Sequence, residues 1–242
     1  MTTALQGLRV LDLSDGIAGQ FCGRMLADYG AEVTLVEPPG GSALRRQGPF
    51  RDADGRDSLL FFHNNTGKAS VTLDVSTPSG RETLAALARA ADVVIAGSGI
   101  DVATLRAANP DCVLATVSGF GTDGPYREWQ GTEMVYQALA GIMRRNGEAG
   151  REPLYGCGDR ASYGAGVAAY IGILAALHAR VAQPRVDRDA GAEQRPRRFG
   201  RDALRDRKGK ARVHGQMVAE PAVLLNDRCP LVHLAHLGVP AL

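Results

Sequence analysis

The sequence is short of aromatic residues, which make up 5% of its 242 positions with a single tryptophan, Trp129. It lacks a GxGxxG run at its first βα turn, and anywhere a Walker phosphate loop, a CxxC pair or a zinc-type ligand spacing. These absences weigh against a standard dinucleotide fingerprint, a P-loop NTPase and a structural zinc module. The four cysteines, Cys22, Cys112, Cys157 and Cys229, stand singly, and no basic and apolar leader precedes them. That pattern fits reduced thiols in the cytoplasm. The longest apolar-rich run, residues 163–177, is interrupted by glycines and tyrosines and is short for a bilayer span, so no membrane segment is expected.

What is present is ordinary globular composition, 45% hydrophobic and 22% charged. The net charge of +2 conceals an asymmetry. Residues 1–180 carry 16 Lys/Arg against 19 Asp/Glu, and residues 181–242 carry 12 against 7. The hydrophobic patterning divides at the same place. Up to residue 180, short apolar runs of strand length (8–13, 32–36, 69–73, 92–96, 112–117) alternate with stretches of helical spacing (16–29, 78–90, 101–108, 132–143, 159–180). Alternation of this kind predicts an α/β fold with a Rossmann-like, doubly wound parallel sheet and right-handed crossovers over residues 1–180. Residues 181–212 instead contain nine arginines, two lysines and one aromatic, Phe199, with no countable period. An RNA-binding arm, a disordered tail and a stretch translated out of frame all remain open readings, and the abruptness of the change favours the third. Residues 181–242 are therefore expected to form an irregular basic tail.

Several residues invite a chemical reading. The first βα turn, Asp12 to Gly19, presents helix N-terminal amides that suit a phosphate. Its glycines (Gly16, Gly19, Gly23) and the acidic Glu37 at the end of the second strand only partly match a dinucleotide site, so close helix–sheet packing is the better reading. Lys68 is a candidate phosphate ligand or a solvated lysine. Thr132 and Glu133 open a helix as cap and first-turn acid, and His63 after an apolar run is expected to pack rather than catalyse. His233 and His236 lie three apart without further ligands, and no metal site is expected. Asp159 follows Gly156-Cys157-Gly158 at the start of the last helix. It is either a plain N-cap or an ionised, accessible carboxylate nucleophile held charged by the helix dipole. Cys157 beside it has no histidine nearby in sequence.

Taken in order, LxGLRVLDLSxxxAG (5–19), MLADYGAEVTLVEPPGG (25–41), NNTGKASVTLD (64–74), ADVV (91–94), NPDCVLATVSGFGTDGPY (109–126) and Gly158-Asp159 before ILAALHAR (173–180) resemble the class III CoA-transferases. That family includes formyl-CoA transferase, the carnitine CoA-transferase and the α-methylacyl-CoA racemases. The resemblance implies CoA transfer from an acyl-CoA donor to a carboxylic acid acceptor. The route is an aspartyl–acyl anhydride and an aspartyl–CoA thioester, with the catalytic aspartate falling on Asp159.

The resemblance carries CoA contacts over to Ile17, Ala18, Leu73, Asp74, Val75, Ser76 and Arg106. It also implies CoA or acyl-CoA as substrate with no tightly bound cofactor, no metal, no nucleic acid, and an interlocked homodimer in the cytoplasm. The racemase histidine falls on Thr132, which cannot shuttle a proton at neutral pH, so transferase is favoured over racemase. Departures occur at Gln20, Pro38 and Ala96–Gly99. The family's second small domain is not legible after residue 180 and is expected to be missing or scrambled. The alternatives to an active transferase are therefore a copy defective through C-terminal truncation, a racemase or epimerase, or a catalytically inactive CoA-binding remnant.

Overall fold

The computed structural model describes residues 3–182 and the backbone of 223–225. Residues 183–222 and 226–242, with His233 and His236, lie outside the described residues, and the first two residues of the expected basic tail, Val181 and Ala182, end the last helix. Five short runs form parallel strands: β1 (Arg9–Leu13), β2 (Glu32–Glu37), β3 (Ala69–Thr72), β4 (Val93–Ala96) and β5 (Val113–Val117). A sixth strand, β6 (Val223–Leu225), pairs antiparallel with β5, and the sheet order is β3-β2-β1-β4-β5-β6. The order reverses between β1 and β4, where Val10 pairs with Val93 and Leu13 with Ala96. In doubly wound sheets the crevice above such a switch point is where ligands sit. The expected fold class is found.

Burial on both sides makes β4 and β5 largely apolar, whereas β3, Ala-Ser-Val-Thr at the sheet's edge, is exposed at every position. Side chains alternate all the same. Val10, Val33, Val93, Ile95, Val113 and Ala115 meet Cys22 and Leu26 of α1 (Ile17–Asp28) and Ala169, Ile173 and Ala176 of α7 (Arg160–Ala182). Leu11, Leu13, Val36, Val94 and Leu114 face the other way, onto Ala88 of α3 (Pro78–Ala90) and Leu105 of α4 (Val102–Ala108). On length and composition alone α7 is apolar enough to cross a membrane. Its buried stripe, Ala161, Ala165, Ala169, Ile173 and Ala176, is spaced to lie against α1 and the sheet. Two glycines set that fit. A Cβ on Gly166 would lie 2.6 Å from the carbonyl oxygen of Ala18, so α7 touches the α1 backbone. A Cβ on Gly23 would lie 2.6 Å from a carboxylate oxygen of Asp12.

The remaining helices differ in part from the sequence expectation. The spacing predicts one helix over residues 132–143. The structure has two, α5 (Glu133–Leu139) and α6 (Ile142–Arg145), broken at Gly141, whose φ of 71° ends a helical turn. The run LLFFHNN is helix α2 (Leu59–Asn65), capped by the Ser58 hydroxyl, which accepts from Phe61 N at 3.1 Å. His63 packs on it, stacked over Phe21 with ring centres 6.1 Å apart. Burial and the neighbouring Arg24 guanidinium push its pKa down.

Candidate active site at the carboxyl edge of the sheet

The parallel strands bring five loops to one edge: those after β1, β2, β3, β4 and β5. Gly16 caps α1 without a side-chain hydrogen bond, so the first-turn amides at Ile17 and Ala18 point to this edge with no side-chain cap. Leu73, Asp74, Val75 and Ser76 form the loop after β3, two strands away, with Ser76 Oγ donating to Asp74 at 2.6 Å. Arg106 stands apart from these groups. It lies in the last turn of α4, within electrostatic reach of the Cys112 thiol, which it lowers against a larger rise from burial. Cys112 precedes β5, so Arg106 belongs to the opposite end of the sheet.

Two charged residues at the first loops are already committed. Lys68 is neither solvated nor free for a phosphate. Its side chain is 1% exposed, and its Nζ donates to Asp12 at 2.8 Å, to the Gln20 carbonyl at 2.6 Å and to Asn65 at 2.9 Å. Asp12 accepts from Ser14 N and Oγ with its other oxygen, so this buried pair anchors the first βα turn. Glu37 accepts from Arg45 Nε at 2.6 Å, from Arg45 Nη2 at 2.7 Å and from Ser42 N at 2.8 Å. Ser70 Oγ donates to it as well. The Arg45 hydrogen bonds, against the opposing effect of burial, hold its carboxyl down at about 2. A carboxylate so occupied has no room for a ribose hydroxyl, which disposes of the dinucleotide reading.

Asp159 stands at the head of α7, after Gly158 with φ 78°. Its backbone carbonyl accepts from Tyr163 N at 2.9 Å, as an N-cap residue's does. The side-chain half of that role belongs to Glu133. Glu133 reaches across from α5 and accepts from Ala161 N at 2.5 Å, from Ser162 N at 3.2 Å and from Ser162 Oγ at 2.8 Å. The expectation that the helix dipole holds Asp159 ionised is therefore corrected. Burial, then the nearby Glu133 charge, push the Asp159 carboxyl upward. No hydrogen bond to the Asp159 carboxylate is found among the described residues. Thr132 is the backbone N-cap of α5, is exposed, and makes no side-chain cap bond. Cys157 is exposed.

Asp159 and the first turn of α1 share the edge. Gly166 contacts Ala18, and Arg180, at the far end of α7, lies 3.8 Å from Asp92 near the start of β4. So α7 runs away from the carboxyl edge. Asp159, seven residues before Gly166, rises roughly 10 Å above Ala18 on the open side. Sequence reasoning missed Gln137, whose buried amide joins Glu133 to the Gly156–Gly158 loop. No local pattern marks it.

Comparisons with known proteins bear on the family and the fold. The family model described as CoA-transferase family III matches residues 5–185. The succinate–glutarate CoA-transferase of Agrobacterium fabrum is 39% identical over 163 residues, 62% of this chain and 41% of that one. The formyl-CoA:oxalate CoA-transferase of Streptomyces avermitilis is 35% identical over 239 residues, 95% of this chain and 57% of its own. That match continues past residue 185 into the basic tail. A CaiB/BaiF family protein from Brucella suis superposes with a TM-score of 0.69 at 38% identity, covering 75% of this chain and 51% of that one. The chain spans about half the length of the curated relatives it matches. The chain belongs to CoA-transferase family III.

Proposed function

We propose that this chain contributes the CoA-binding and nucleophilic half of an enzyme that moves CoA from an acyl-CoA to a carboxylic acid. Asp159 is its covalent nucleophile. The observation that carries this reading is the Asp159 carboxylate, kept out of the α7 amides by Glu133 and left without a hydrogen bond among the described residues. A carboxylate whose pKa is raised is more basic, and hence a better nucleophile once ionised.

One Asp159 oxygen attacks the thioester carbonyl. A C–O bond forms, the C–S bond breaks, and CoA leaves as a thiolate, giving a mixed anhydride. The thiolate then attacks the Asp159 carbonyl carbon, and the donor leaves as a carboxylate. The acceptor carboxylate displaces the thiolate from the aspartyl thioester. The thiolate attacks the acceptor carbonyl of the new anhydride, forming acyl-CoA and regenerating Asp159. Every step exchanges one oxygen–carbon or sulfur–carbon bond for another, and no electrons leave the system.

CoA and acyl-CoA are substrates in this reading rather than resident cofactors. Ile17, Ala18 and the Leu73–Ser76 loop line the approach at the shared edge. Arg106 would have to meet CoA from the far end of α4. A cytoplasmic homodimer and a division of the chain at residue 180 belong to the same proposal, and resequencing around codon 181 tests the division. The second reading is a protein that binds CoA without turnover.

The test is mass spectrometry of protein mixed with acyl-CoA and trapped with hydroxylamine or borohydride. The adduct is expected on the peptide holding Asp159 and is expected to vanish in Asp159→Asn. An adduct on Cys157 or Glu133 refutes the assignment. Calorimetric binding of CoA with no adduct supports the second reading.

A further inference from the structure

We infer that Gln137 is a positioning residue for the Asp159 carboxylate: its buried amide ties together the glycine loop that carries Asp159 and the Glu133 carboxylate that takes the α7 amides in its place. The inference rests on the reading of Asp159 as the reactive group, but its geometry does not.

Gln137 is fully buried on α5. Its Nε2 donates to Glu133 Oε1 at 2.9 Å, to the Gly156 carbonyl at 3.2 Å and to the Gly158 carbonyl at 3.4 Å. Its Oε1 accepts from Gly156 N at 3.1 Å. The amide orientation is dictated by these partners. Flipped, its oxygen would face a carboxylate and two carbonyls, all acceptors, and the Gly156 N–H would meet an N–H. Two hydrogens serving three acceptors leave no spare donor, so a substitution at 137 leaves the loop groups unpaired and takes one of its four hydrogen bonds from the Glu133 carboxylate.

The loop has little other freedom. A Cβ at Gly156 would lie 2.8 Å from Arg160 Nη1 and 3.0 Å from Asn146 Nδ2. The Arg160 and Asn146 side chains thus flank it on one side, and Gln137 holds it on the other. The charge that acts on Asp159 is that of Glu133 from α5, while the Arg160 guanidinium lies against Gly156. Glu133 is spaced one turn from Gln137, at i and i+4, so the same helical face delivers both the cap and its anchor. The arrangement separates two duties that one N-cap aspartate normally combines. Glu133 satisfies the helix, and Asp159 stays free for substrate.

Releasing the loop should lower the Asp159 titration midpoint by two routes. Water reaches the carboxyl, and its distance from Glu133 grows; both undo the causes that raise it. The experiment is carbon-13 NMR titration of the Asp159 carboxyl in the full chain, without acyl-CoA, for wild type and Gln137→Met. The variant's midpoint is expected to fall by at least about half a pH unit, a roughly threefold change in acid dissociation constant. An unchanged midpoint in a folded Gln137→Met protein overturns the inference, because a merely structural glutamine leaves Asp159 where it was. If Gln137→Met does not fold, wild type decides. The Gln137 carboxamide hydrogens and the Gly156 amide hydrogen should exchange on the order of a hundredfold more slowly than free amides, and exchange at the free rate overturns the inference. A shifted midpoint with no Asp159 adduct in the trapping experiment would retire the transferase reading and leave the positioning role standing.

Discussion

Replacing Lys68 with methionine should be among the most destabilising single changes available to this fold outside the apolar core. Lys68 and Asp12 are 1% and 0% exposed. The Lys68 ammonium serves Asp12, the Gln20 carbonyl and Asn65 at once, joining β1, α1 and α2. Methionine fills nearly the same volume but removes the charge and all three donors. Asp12 Oδ2 is then a buried, uncompensated charge. Breaking a buried pair from one side costs about 3–5 kcal/mol. At about 2–4 °C per kcal/mol for a domain of this size, the melting temperature should drop by roughly 6–20 °C. The double variant Asp12→Asn/Lys68→Met removes the orphaned charge. The introduced carboxamide keeps an oxygen for Ser14 and gains an amide facing the acceptors Lys68 gave up, so most of the loss should return. Urea unfolding followed by circular dichroism at fixed protein concentration measures all three proteins. A cost below about 1 kcal/mol for Lys68→Met, or a double variant no better than the single, refutes the reasoning.

Three further outcomes are expected. Gly166→Ala should destabilise by about 1–3 kcal/mol, because its Cβ would sit 2.6 Å from the Ala18 carbonyl with backbone on both sides; a neutral urea midpoint would mean that α7 slides freely on α1. Glu37 is held at about 2 against an ordinary 4.5, so its stabilisation is present above 4.5 and is lost as pH falls toward 2. Urea titrations across that window should show up to about 3 kcal/mol disappearing in wild type, and Glu37→Gln should flatten the loss. Asp159 has its carboxyl raised, so adduct formation should fade at a higher pH than for an ordinary aspartate. Glu133→Gln should move that fade to lower pH, as read by adduct mass over a pH series, and an unmoved profile would remove Glu133 as a cause.

The sheet was legible because its strands carry their own signal. Runs such as EVTLV and DVVIA are apolar, β-branched and bounded by polar residues, and a buried parallel sheet asks for little else. Helix α2 was missed because seven residues give too few turns for a period, although Ser58 before them was a usable cap signal. The break at Gly141 turned on a backbone angle that hydrophobic spacing does not encode. In the candidate site, Asp159 was singled out by the family resemblance, its glycines alone leaving a plain N-cap open, and its partners were not legible. Glu133 meets α7 across 28–29 positions, and Lys68 meets Asp12 across 56. Such pairings are created by the fold, and a window on the sequence sees each as a lone surface charge. The same blindness hid Gln137, an unremarkable polar residue inside a short helix.

The position of α7 has a consequence for synthesis of the chain. One face of the sheet is roofed jointly by α1, made first, and α7, which leaves the ribosome after all five parallel strands. Until residues 160–182 emerge, Val113 and Ala115 on that face lack their final cover, however well the strands have paired. Vectorial folding of this domain therefore stalls with an apolar strip open to water, the kind of surface that chaperones hold. A ribosome-bound chain halted before residue 160 should be the form they bind most strongly. The helix that carries Asp159 is also the one that ends this exposure, so the reactive carboxylate and the finished core are completed in the same event.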